Sequence, residues 1–190
     1  MKRANIVKEA RAIHVVASVL LLFAGIVLIT WRDAGDTTTR WLLGATFFLM
    51  GAARILGYFA NDLYRLAFQY DFALGLFCLI FAVLCVIRPD SIRYVIPYAV
   101  GIYVLFDGLF KLQTAFDAKA FGMKHWFGLL ISAIVVSLFG ILVEIGSTVW
   151  ETQQLLVGIA LVLDGGENVW NTMGTVRVRA KKEDRFGDLL

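Results

Sequence analysis

The chain has 190 residues, 59% hydrophobic and 17% charged, whereas soluble domains run at about 45–50% apolar and about 25% charged. Its apolar residues gather into blocks of about 20, the length that crosses a bilayer core of roughly 30 Å. This excludes a soluble domain, and a net charge of +3 with no basic groove interleaved with aromatics excludes a nucleic-acid partner.

The N-terminal stretch MKRANIVKEAR is basic and precedes an apolar run, as a secretory signal would. The run Ile13–Trp31 is too long for a signal core, and no small-x-small cleavage site follows it. An uncleaved first helix is expected there. RDAGDTTTR then turns the chain, and a second helix, Trp41–Phe59, carries Arg54 near its end. The mixed segment NDLYRLAFQYD, 61–71, is either a short interfacial helix or an early start to the third helix, expected over Leu66–Ile87. Arg88-Pro89-Asp90 ends that helix, because proline cannot continue it. A fourth helix is expected over Ile92–Leu112, followed by a polar, basic loop to Lys124. The fifth runs Trp126–Val143, and EIGSTVWET leads to the sixth, Gln154–Trp170. Residues 175–190 form a charged tail, expected to be mobile beyond its start.

The fold class expected is an all-α integral membrane protein with six transmembrane helices. Lys and Arg set its orientation, since they concentrate in cytoplasmic loops. The N-terminus, the even-numbered connections and the tail hold 14 of the 18. Both termini are therefore expected in the cytoplasm. Trp31, Trp41 and Trp150 then fall at outer helix ends and Trp126 and Trp170 at inner ends, where tryptophan prefers to sit.

A repeat underlies this order. VGIYVLFDG, Val100–Gly108, recurs 57 residues later as VGIALVLDG, Val157–Gly165, and 57 residues earlier as LGATFFLMG, Leu43–Gly51. Three glycine pairs lie in register: Gly44/Gly51, Gly101/Gly108 and Gly158/Gly165. A fixed period of this length is one supersecondary unit used three times. The unit is a helical hairpin, about 13–59, 66–112 and 126–170. Each holds two spans, so the three are parallel repeats, unlike the inverted repeats of many transporters. In lipid, small residues let helix backbones approach. The glycines are therefore expected to pack inward or against their hairpin partners. Substituting Gly101 or Gly158 is expected to cost more than substituting Gly25.

The intramembrane charges follow the same register. One position reads Met50, Asp107, Asp164, and four residues later it reads Arg54, Lys111, Asn168, with Glu167 alongside. Asp107 and Lys111 make an acid-to-base pair on one helix face. Arg54 has Met50 where an acid would stand, so its partner would be Asp107 or Asp164 across an interface. Two readings compete. Arg54, Asp107, Lys111, Asp164 and Glu167 form a structural ring of paired groups near the inner helix ends, or the acids form a proton- or ion-responsive site. His14 and His125 are read as interfacial polar residues, with pH sensing as the alternative. Cys78 and Cys85 share one helix face, two turns apart, and read as small buried apolar side chains. No metal, cofactor or catalytic motif is present, and the outer loops are too short for a catalytic domain. The expectation is that the protein is not an enzyme.

On its six spans, its glycine-paired repeat and the stretch IRPDSIRYVIPYAVGIYVLFDGLFKL, 87–112, the chain resembles the HdeD family of small bacterial membrane proteins, the short-repeat DUF308 group. The resemblance implies a bacterial inner-membrane location and a part in acid or envelope stress tolerance, and it brings no catalytic residues. A non-enzymatic scaffold is the leading expectation, and a small transporter or channel using the inner acids is the alternative. The bilayer is the expected partner. Anionic lipids, a second copy and another membrane protein remain open.

Overall fold

The computed structural model describes residues 2–31, 36–59, 71–87, 92–120, 122, 126–146 and 150–187, with side chains described from Ala12 to Thr172 where placed. These residues form six helices: α1 Lys2–Thr30, α2 Asp36–Phe59, α3 Asp71–Ile87, α4 Ile92–Ala120, α5 Trp126–Ile145 and α6 Trp150–Gly187. Four of them, α1, α2, α4 and α5, are long and apolar enough to cross a membrane, and α3 is a shorter apolar helix. Large apolar side chains such as Phe23, Phe48, Ile80, Leu138 and Leu142 face outward. An outer surface this apolar suits lipid and would be an association site in water. The chain is a membrane protein.

Several helices outrun their expected ends. α1 begins at Lys2, and α6 continues to Gly187 through most of the segment read as a tail. α4 continues past Leu112 to Ala120, where a polar loop was expected. The sequence QTAFDAKA contains three alanines, the best helix former, and Ala115 and Ala118 are buried. Gly122 ends the run with φ +69°, and its N–H donates to the Lys119 carbonyl at 2.9 Å. A left-handed residue just past a helix end is the usual place for glycine. Residues 60–70, 88–91 and 123–125, which include all of the mixed segment but Asp71, the Pro89 turn and His125, lie outside the described residues.

The helices pack as a closed ring. The most extensive contacts are α2 with α3, α4 with α5 and α6 with α1. The glycine register makes these three seams. A Cβ on Gly51 would lie 2.8 Å from the Gly75 carbonyl of α3, one on Gly158 2.9 Å from the Gly25 carbonyl of α1, and one on Gly165 2.8 Å from Leu22 N. On α4, a Cβ on Gly108 would lie 2.9 Å from Ser137 N of α5. Each glycine pair thus packs against the helix that follows, with α6 closing on α1, and not against the partner in its own out-and-back unit. The reason lies on the odd helices: Ser18, Gly75, Gly25 and Ser137 meet the glycines with small side chains, and backbone meets backbone. This corrects the ranking that put Gly25 below Gly101. A Cβ on Gly25 would lie 2.6 Å from the Gly158 carbonyl, whereas one on Gly101 meets the flexible end of Glu144.

Inside the ring, equivalent residues of α2, α4 and α6 stack in layers. Leu43, Val100 and Val157 form one, and Phe47, Val104 and Leu161 the next, all buried in one apolar core. The Phe47 and Tyr103 rings meet edge to face with centroids 5.1 Å apart, a favourable aromatic geometry. Below these layers the register turns ionic.

Adjacent glycines on α6 test this packing. Gly166 has nothing within 4 Å of an added Cβ, so Gly166→Ala should keep or raise the melting temperature, since glycine costs about 1 kcal/mol against alanine in a helix. Gly165→Ala should lower it. Equal melting temperatures for the two variants in detergent would contradict the seam.

Candidate functional site

The layer below the apolar core joins five helices through charge. Arg54 of α2 donates from Nη1 to Asp71 Oδ1 of α3 at 2.7 Å, and from Nη2 to Asp107 Oδ1 of α4 at 2.5 Å and to the Tyr103 hydroxyl at 3.1 Å. Lys111 of α4 pairs with Asp107 one turn back on its own helix. The same ammonium reaches α6, donating to Asp164 Oδ1 at 3.0 Å and Glu167 Oε2 at 3.2 Å. Ser132 of α5 donates to Glu167 Oε1 at 2.8 Å, and Asn168 donates to Asp164 Oδ2 at 3.1 Å. Arg54, Asp71, Asp107, Asp164, Glu167 and Asn168 are all buried, and Lys111 is 13% exposed at its side chain.

The sequence register explains the geometry. Arg54 to Asp107 and Lys111 to Asp164 are each separated by 53 residues, so they are one contact used twice: the base of one unit pairs with the acid of the next. The third copy would join Asn168 to Met50, and both of its groups are uncharged. Asn168 instead bonds Asp164 on its own helix. Both ionic seams therefore depend on α4, which supplies the acid to one and the base to the other.

The structure thus brings together Arg54, Asp107, Lys111, Asp164 and Glu167. It adds Asp71, Tyr103, Ser132 and Asn168. Asp71 carried a signal in the sequence: it is the one acid at the mouth of the apolar run of α3. Its place in the mixed segment 61–71 hid that. The glycines Gly44, Gly51, Gly101, Gly108, Gly158 and Gly165 form the seams around the cluster and supply no polar side chain to it. Among the described residues no group of His, Cys, Asp and Glu is placed to hold a metal ion. Cys78 and Cys85 are free and buried.

The chemistry available is electrostatic. Four carboxyl groups face two fixed cations. With all six ionised, the described groups of the cluster sum to two negative charges inside an apolar bundle, and such charges are costly. Asp164 lies 14 residues beyond Trp150, about 21 Å along α6, so the cluster sits toward the end of the bundle opposite Trp31, Trp41 and Trp150. The apolar layers of Leu43, Phe47 and their equivalents separate it from that other end.

The family described as a short repeat of unknown function (DUF308) matches the chain twice, over residues 16–87 and 73–144. The chain belongs to this family. The two matches are offset by 57 residues, the period of the glycine register, and each spans three of the described helices. No curated protein and no solved structure matches the DUF308 chain.

Arg54 holds two acids, so its loss takes the cation from Asp71 and leaves Asp107 with Lys111. Arg54→Met should destabilise the fold by about 3–5 kcal/mol, the cost of breaking a buried pair by removing one partner. Adding Asp71→Asn and Asp107→Asn should recover part of that loss. Melting of the single and triple variants in detergent checks both, and a triple variant no more stable than Arg54→Met would contradict the pairing.

Proposed function

We propose that this DUF308 protein is a non-enzymatic, proton-responsive protein of the bacterial inner membrane that serves in acid or envelope stress tolerance as a scaffold or interaction partner. The observation that carries the proposal is the excess of acid in the buried cluster. Four carboxyl groups sharing two cations are most cheaply brought to neutrality by protons, because a proton brings no size or coordination demand. Each proton taken up or released changes the ionic seams between α2 and α4 and between α4 and α6. Helix packing is thereby coupled to proton concentration, and a partner that reads the packing reads the pH.

In this reading all six helices span, both termini lie in the cytoplasm, and the cluster is near the cytoplasmic face. The distribution of Lys and Arg supports this. So does the level of the cluster, away from the outer-end tryptophans. Basic residues on the inner side would attract anionic lipids. The polar side chains of the cluster are engaged with one another, as the Ser132 hydroxyl is with Glu167, which supports a structural and electrostatic role over an enzymatic one. A transporter using the same acids is the second reading, and the apolar layers above the cluster weigh against it, because an ion would have to cross them.

Three measurements test the proposal. The melting temperature of the wild type should change across about pH 5–8, the range in which proton-responsive proteins switch, and Asp107→Asn combined with Asp164→Asn should flatten that change. A wild-type profile that is flat would contradict the proposal. In liposomes, proton flux should stay at the lipid background, and flux abolished by the same double variant would establish the transporter instead. A C-terminal reporter active only outside the cytoplasm should remain silent.

A further inference from the structure

His14 was expected at the membrane interface, but the residue is buried, with an exposure of 9%. Its backbone carbonyl accepts from Ser18 Oγ at 2.8 Å. Its ring nitrogen Nδ1 is buried and has no hydrogen-bond partner among the described residues. A buried polar atom without a partner costs about 1–3 kcal/mol and calls for an explanation.

The register supplies one. His14 and Asp71 are 57 residues apart, so they hold equivalent positions on α1 and α3. Asp71 completes its seam by accepting from Arg54. The equivalent seam lies between α6 and α1, where the counterpart of Arg54 is Asn168. It has neither the base nor the acid of the first seam. His14 stands in the acid's place, and the charged groups of the cluster reach it. Burial opposes protonation of the ring, Asp71 of α3 and Asp107 of α4 favour it, and the Arg54 guanidinium of α2 opposes it. From α6, Asp164 and Glu167 share the Lys111 ammonium, and Asn168 is the register neighbour.

We propose that His14 is a further proton-binding residue of this protein, placed so that its protonation supplies the positive charge that the α6–α1 seam lacks. The step is the addition of one proton to the free lone pair of Nδ1 in the tautomer that carries its hydrogen on Nε2. Imidazole becomes imidazolium, and no other bond changes. The added charge offsets one of the two negative charges to which the described groups of the cluster sum. Arg54 ties α2 to α3 and α4, and Lys111 ties α4 to α6, with charges of their own. The α6–α1 seam has His14 for this, so its response to protons adds to that of the contacts of α4. This rests on the reading of the cluster as proton-responsive and names one group through which it responds.

The test uses the full chain in lipid nanodiscs, labelled with nitrogen-15 histidine and carrying His125→Gln so that His14 alone is observed. Its ring resonances should titrate within about pH 5–8, and the midpoint should move by about half a pH unit or more in Asp71→Asn or Asp107→Asn. Resonances fixed over that range, or a midpoint unmoved in both variants, would overturn the proposal. Melting profiles separate it from the broader reading. A flat wild-type profile removes proton response altogether. A sloping wild-type profile that His14→Gln reproduces unchanged removes His14 alone. Should His14→Gln fail to fold, the titration decides by itself.

Discussion

The structure depends on one ionic contact made twice. A base near the inner end of one even-numbered helix reaches an acid one turn higher on the next, as Arg54 does to Asp107 and Lys111 to Asp164. Charges in a bilayer are tolerated only when they face the bundle interior and find partners. This contact fixes the relative heights of α2, α4 and α6, since sliding one helix by a turn would strand an ion. Fixed heights place the apolar layers above the contact in register, with Leu43, Val100 and Val157 and then Phe47, Val104 and Leu161 in one buried core.

The glycines perform a different task with the same period. They let α2, α4 and α6 approach α3, α5 and α1 closely enough for side chains on the inner face to meet. Gly25 and Gly158 show the limit, since each would push a Cβ within 3 Å of the other's carbonyl oxygen. Association in lipid gains little from burying apolar surface, so close backbone packing and buried polar contacts carry the assembly. The two devices alternate around the ring: small-residue seams join one set of neighbouring helices, and ionic contacts cross between the even helices. The break in the pattern at Met50 and Asn168 leaves one crossing without charge, and His14 lies on α1, the helix that packs against both α6 and α2.

The period, the membrane class and the candidate charges were legible in the sequence because each is a property of spacing along one chain. Arg54 opposite an acid of the next unit followed from Met50 standing where its own acid would be. The seam partners were not legible. A glycine pair names a face and not the helix that covers it, and the short connection between α1 and α2 suggested the wrong neighbour. Asp71 escaped because it lies at the boundary between a mixed segment and an apolar run, where helix starts are least defined. His14 looked interfacial because it follows a basic stretch, yet α1 begins at Lys2, which carries His14 inside the bundle. The match of the family over residues 16–87 and 73–144 reports the same 57-residue period independently of the glycines.

The central claim is that the cluster holds protons because its acids outnumber its bases. Infrared spectra of the protein in nanodiscs measure this directly through the carbonyl stretch of protonated carboxyl groups. The account predicts that band in the wild type near neutral pH, and its loss when Asp107→Asn and Asp164→Asn are combined. A wild type without the band at any pH between about 5 and 8 would mean that all four acids are ionised and otherwise compensated, and would contradict the account.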